Sequence, residues 1–133
     1  MHSPEEKMRV VIDAMLQQTG WVVQDASRVN LAAGRGVVIR EFPLKPGYGF
    51  ADYLLFVDQK AAGVIEAMRA GTTLIGVRVQ SQRYSEGLPD HLAASAQPLP
   101  FRYQSTGVET RFTCGLDPKA RSRRIFHIHV SLQ

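Results

Sequence analysis

Two periods of apolar and polar positions alternate along this chain, and the switches between them divide it into elements. In SPEEKMRVVIDAMLQQTG, Met8, Val11, Ile12, Met15 and Leu16 recur at helical spacing. Ser3 can cap this segment, Pro4 suits its first turn, Glu6 takes the capping-box position and Gly20 supplies a stop. The spacing predicts an amphipathic helix of about four turns that buries one stripe. VVIREFPL (37–44) is β-branched and partly alternating, which predicts a strand ending at Pro43. Pro46, Gly47 and Gly49 mark a loop. ADYLLFVD (51–58) and AAGVIEAM (61–68) are strands too apolar to be half exposed, so the hairpin they form is placed at the centre of a sheet.

From Thr73, the stretch TTLIGVRVQSQRYSEGL carries Leu74, Val77 and Tyr84 at helical spacings and is ended by Gly87 and Pro89. A loop rich in Ala and Pro (89–100) leads to two short strands, FRYQSTGVET and RIFHIHVSL, joined by the basic turn GLDPKARSRR. The order is helix, three strands, helix, two strands: an α/β sandwich in which a central mixed β-sheet is flanked by helices.

Composition changes this picture little. At 133 residues, with 44% hydrophobic and 21% charged positions, the chain reads as one globular domain, residues 1–133. No apolar run approaches the ~20 residues of a membrane span, and Cys114 is a lone cysteine, so a reducing cytoplasmic setting with no membrane association is expected. The net charge of +4 favours polyanionic partners such as DNA or RNA.

The chemistry concentrates on the hairpin. Asp52 and Glu66 lie an even number of residues apart, and a three-residue turn at Asp58, Gln59 and Lys60 sets them opposite each other on one face. Two carboxylates meeting at the end of a buried hairpin repel unless a cation neutralises them, and Mg²⁺ suits one or two carboxylates plus waters. The backbone carbonyl of Ala67 is a further candidate oxygen ligand. The other reading of the same residues is two solvated acids at strand ends.

Asp52 followed by Glu66-Ala67-x68 after a short hairpin resembles the PD-(D/E)xK nuclease core. NLAAGRGVVIREFPLKPGYGFADYLLFVDQKAAGVIEA, GTTLIGVRVQSQRYSEGLP and STGVETRFTCGLDPKARSRRIF closely resemble the amino-terminal nuclease domain of the R subunit of type I restriction-modification enzymes, over roughly residues 20 to 126. The resemblance implies a restriction-endonuclease-like fold and Mg²⁺, with Mn²⁺ as an alternative, held by Asp52 and Glu66. It places Met68 where the family has a lysine. A thioether carries no charge and no acidic proton, so the resemblance implies a type I site-specific endonuclease whose cleavage of duplex DNA is impaired in this copy. Arg69 should point to the other face, Lys60 lies at the far end of the hairpin, and Arg78 or Arg83 would remain protonated.

Gln80 and Tyr84 match the QxxxY pattern of these nucleases and share a helix face, which implies a role in orienting the site. Lys45 and Tyr48, just before Asp52, are candidate DNA contacts. Glu5 or Glu6 is a candidate for an outer contact to metal-bound water, with capping as the other role of Glu6. The basic run Lys119, Arg121, Arg123 and Arg124, with Arg102 and Arg111, reads as a surface docking on other subunits or on the helicase domains of a type I complex. His127 and His129 share a strand face without a third metal ligand of suitable spacing. The chain has neither GxGxxG nor GxxxxGK[ST], so no ATP site and no helicase motor is expected in it. The alternative function is a noncatalytic DNA-binding or subunit-docking module on a degenerate nuclease fold.

Overall fold

The computed structural model describes residues 4–69, 84–94, 96–117 and 123–128. The amino-terminal helix α1 spans Pro4–Gln18, and Gly20, at φ 97°, follows it in the left-handed region that glycine enters without penalty. Met8, Ile12 and Leu16 are its buried stripe. Val11, expected in that stripe, is 49% exposed; the i, i+4, i+8 row already covers the sheet, and Val11 stands at its flank beside Gly107. Ser3, the expected cap, lies outside the described residues.

Seven strands form one sheet among the described residues, in sequence order: β1 (Val22–Asp25), β2 (Gly36–Pro43), β3 (Phe50–Val57), β4 (Lys60–Ala67), β5 (Phe101–Ser105), β6 (Thr110–Cys114) and β7 (Arg123–Ile125). The β1–β2 and β4–β5 pairs are parallel and the other four antiparallel, so the sheet is mixed as expected. The strands read from the sequence at 37–44, 51–58 and 61–68 correspond to β2, β3 and β4 within one residue at each end.

Three features differ from expectation. The last strand, expected as RIFHIHVSL, is β7, which begins at Arg123 inside the basic turn GLDPKARSRR and ends at Ile125, with 126–128 outside it. β1 was not legible, because VVQD is three half-buried residues and the exposed Asp25 without alternation, and its partner is supplied only by the chain's return through the 3₁₀ turns Ala26–Arg28 and Leu31–Ala33. The segment FRYQSTGVET is not one strand: it breaks at Thr106–Glu109, where Gly107 has φ 86°. There Ser105 Oγ accepts the Gly107 amide at 3.0 Å, and Thr106 Oγ1 accepts those of Val108 and Glu109 at 3.2 and 3.0 Å. These local bonds turn the chain and start β6.

Side chains on β2–β4 alternate between two buried layers. Val38, Tyr53, Leu55 and Ile65 pack with Met8, Ile12 and Leu16 of α1, and with Trp21 and Ile128. Val37, Ile39, Leu54, Phe56 and Val64 face the other way, against Leu44, Tyr84, Leu88 and Leu99. Burial on both faces is why these strands read as continuous apolar runs. The described cover of the second face includes a helical turn at 84–86 with the loop after it, Leu44 and Tyr48 before β3, and Ala26 and Leu31 of the 3₁₀ turns; the helix expected from Thr73 otherwise lies outside the described residues. No helix among the described residues is long and apolar enough to cross a membrane.

β4 and β5 approach closely at Gly63, where an added Cβ would lie 2.4 Å from the Phe101 carbonyl oxygen and 2.9 Å from Phe101 Cβ. Backbone cannot yield there without parting the two strands. Gly63→Ala should therefore destabilise the fold by about 1–3 kcal/mol, read as a lower midpoint in urea unfolding. An unchanged midpoint would contradict this packing.

Candidate functional site

The acids owe their positions to the hairpin's register. Asp58 and Gln59, at φ 50° and 67°, form a tight two-residue turn with Val57 paired to Lys60. The expectation of a three-residue turn is corrected here. The odd residue is instead supplied by a β-bulge, since Phe56 pairs with Ala61 but Leu55 with Gly63. Turn and bulge together restore the pairing that the three-residue turn would have given, and it runs on to Tyr53↔Ile65. The pairing ends there, one residue short of both Asp52 and Glu66.

Beyond Tyr53 the ladder gives way to side-chain chemistry. Asp52 Oδ2 accepts the Ala67 amide at 2.9 Å. Residues N–H and C=O on one strand position face the same neighbour, so the Ala67 carbonyl also lies on the β3 side, while the Met68 amide donates the other way, to the Ser105 carbonyl at 2.7 Å. Glu66, only 7% exposed, accepts from Gln104 Nε2 at 3.4 Å. Gln104 is its register partner on β5.

The two carboxylates have different surroundings. Asp52 lines a cleft of about 330 Å³ with Glu6, Arg9, Val10, Asp13, Asp25, Arg40 and Glu41, and Glu66 is not part of that lining. Arg9 Nη2 stands 3.8 Å from Asp52 Oδ1. Burial pushes the Asp52 carboxyl above its ordinary value; the Ala67 amide and the Arg9 charge oppose that rise, and Glu41 adds to it.

Asp52, Glu66 and the Ala67 carbonyl are oxygen donors, the kind that a hydrated Mg²⁺ takes with waters completing its shell. It does not fit an ion caged by protein alone, because no group of three or more His, Cys, Asp or Glu that could hold a metal ion occurs among the described residues.

The remaining expected site residues are distributed as follows. Met68 follows β4, partly buried, and Arg69 is exposed. Tyr84 is 7% exposed within the core layer opposite α1, while Gln80, Arg78 and Arg83 lie outside the described residues. Lys45 Nζ pairs with Asp90 at 3.1 Å, its amide donates to the Gly87 carbonyl, and the Tyr48 ring packs against Gly87. Both residues thus fasten the loop before β3 to the segment after Tyr84. Of the basic run, Arg123 lies 5.4 Å over the Phe112 ring and Arg124 5.5 Å over Phe126, Arg111 pairs with Glu109 at 3.5 Å, and Lys119, Arg121 and His129 lie outside the described residues.

Sequence reasoning missed Arg9, Asp13, Arg40 and Glu41. Tyr53 Oη lies 2.8 Å from Asp13 Oδ1 and 3.3 Å from the Arg9 carbonyl, and Arg40 bridges Asp13 at 2.6 Å and Asp25 at 3.0 Å. The available signal was the polar pair Arg9 and Asp13 at i, i+4, one step round from the apolar stripe.

The family described as "Type I restriction enzyme EcoKI endonuclease subunit second domain" matches residues 23–112. The chain is 36% identical over 92 residues to the Type I restriction enzyme EcoKI endonuclease subunit of Escherichia coli (strain K12), an alignment covering 62% of this chain and 8% of that protein. No solved structure was found to match the chain.

The raised Asp52 pKa fixes the sign of a pH effect. Its carboxyl holds a proton more tightly folded than unfolded, so its contribution to stability is fully present below the ordinary value near 3.8 and is lost as pH rises through the folded value. Asp52→Asn should therefore raise the urea midpoint at pH 7, with the advantage shrinking as pH falls toward 4 and below. A variant less stable than the parent at pH 7 would mean that Arg9 and the Ala67 amide outweigh the burial of the charge.

Proposed function

The chain belongs to the family of the type I restriction enzyme EcoKI endonuclease subunit second domain, and from that footing we propose that it is a PD-(D/E)xK-like, Mg²⁺-dependent nuclease domain of a restriction subunit, impaired in cutting duplex DNA. The observation that carries this reading is the hairpin register, which runs to Tyr53↔Ile65 and is followed by Asp52 Oδ2 on the Ala67 amide where β3 and β4 part. Its partners on this reading are duplex DNA and the other subunits or helicase domains of a type I complex.

Asp52, Glu66 and the Ala67 carbonyl are the groups that would hold the ion. When bound, a divalent ion there supplies Lewis acidity and lowers the pKa of a coordinated water. The chain's own contribution is positioning. The Ala67 amide holds one oxygen of Asp52, leaving the other for a cation. Gln104 holds Glu66 from the next strand. Gln80 and Tyr84 are assigned the orienting role that the family pattern implies, and Lys45 and Tyr48 that of phosphate contacts in the loop entering β3.

Met68 is the weak point of the reaction. At this position a lysine ammonium would stabilise a hydroxide and offset charge growing at phosphorus, whereas a thioether does neither. Loss of one such group lowers the rate by about a hundredfold to a thousandfold.

Calorimetric titration with Mg²⁺ or Mn²⁺ should show saturable binding that Asp52→Ala abolishes. Absence of such binding would favour a noncatalytic docking module on the same fold. Met68→Lys should raise Mg²⁺-dependent nicking of plasmid DNA by about a hundredfold. No gain in a variant that still binds the ion would show that the missing lysine does not limit the reaction.

A further inference from the structure

The oxygen of Asp52 that a cation would use is the one that an arginine already faces. Asp52 Oδ2 is taken by the Ala67 amide, and Oδ1 stands 3.8 Å from Arg9 Nη2. That spacing places the two charges together without a hydrogen bond to lock them. The other guanidinium nitrogen, Nη1, pairs with Glu41.

Arg9 is held in this place by the fold. Met8 and Ile12, on either side of it along α1, are buried against the sheet. Tyr53, fully buried on β3 next to Asp52, meets both the Arg9 carbonyl and Asp13. Glu41 sits across β2 from Asp52, between the pairs Arg40↔Tyr53 and Phe42↔Ala51, and has φ 51°. A left-handed conformation is uncommon for a residue other than glycine and is sustained by its surroundings. The Arg9 side chain is 36% exposed and lines the open cleft, which leaves it room to swing toward water.

We propose that Arg9 is the built-in counter-ion of the acid site, so that its guanidinium and a divalent cation compete for the same oxygen of Asp52. This inference rests on the metal-binding reading of the preceding section and adds a residue that regulates it. The competition is one of position: the guanidinium and the ion cannot both stand against Oδ1. In the metal-free chain Arg9 offsets the sheltered charge of Asp52. An arriving divalent ion supplies more charge at shorter range and releases Arg9 to Glu41 and solvent.

The test is a Mn²⁺ titration of the whole chain at fixed ionic strength, with free Mn²⁺ followed by electron paramagnetic resonance and folding checked by circular dichroism. Arg9→Gln should bind Mn²⁺ about tenfold more tightly than the parent, and Arg9→Lys close to the parent. Arg35→Gln removes a charge paired with Asp58 at the far end of the hairpin and should leave affinity unchanged. Asp52→Asn should abolish the gain made by Arg9→Gln. Unchanged or weaker binding by Arg9→Gln, an equal gain from Arg35→Gln, or a gain that survives Asp52→Asn would each overturn the proposal while leaving a metal site in place. If no chain with Asp52 intact binds Mn²⁺ saturably, the metal-binding reading fails and the competition fails with it.

Discussion

Two sheltered carboxylates at the end of an apolar hairpin require compensation, and the arrangement around β3 and β4 is organised by that requirement. An ionised carboxyl withdrawn from water without a partner is strongly disfavoured. Asp52 receives a backbone amide and the nearby Arg9 charge, and Glu66 receives the amide of Gln104. Each compensating group comes from a different part of the chain: β4 itself, α1 and β5. The site is therefore coupled to the packing of the sheet's neighbours as much as to the hairpin.

Register sets where the two acids stand along the hairpin. A two-residue turn alone would leave the strands one residue out of step, which would carry side chains to the wrong face. The bulge at Ala61 and Ala62 absorbs the difference, and the downstream pairs Leu54↔Val64 and Tyr53↔Ile65 are aligned. Turn and bulge together thus have a chemical consequence at the opposite end of the hairpin. The close β4–β5 approach at Gly63, beside the bulge, brings Gln104 level with Glu66.

Tyr53 links this register to the helix. It stands beside Asp52 on β3, fully buried, and its hydroxyl meets Asp13 and the Arg9 carbonyl. Burial and the hydrogen bond to Asp13 both push its own pKa upward, so the phenol remains a donor. Arg40 then ties Asp13 to Asp25 at the end of β1. The charged groups of the cleft form one network across α1, β1, β2 and β3, and Asp52 stands at its edge.

The three central strands, the helix and the hairpin register as far as Tyr53↔Ile65 were legible in the chain, because they follow from local periodicity and from parity along a hairpin. Those signals involve residues close in sequence, where the alternation of a strand or the pitch of a helix leaves one arrangement. The strand β1, the split of FRYQSTGVET into β5 and β6, and the bulge were not legible. β1 exists only through its pairing with β2, and the other two depend on which backbone groups find partners across the sheet. The counter-charge at Asp52 belongs to the same class. Arg9 and Glu41 are ordinary surface residues by composition, and only the docking of α1 on β3 brings them to the acid, since contact between distant segments is set by packing and not by any local pattern.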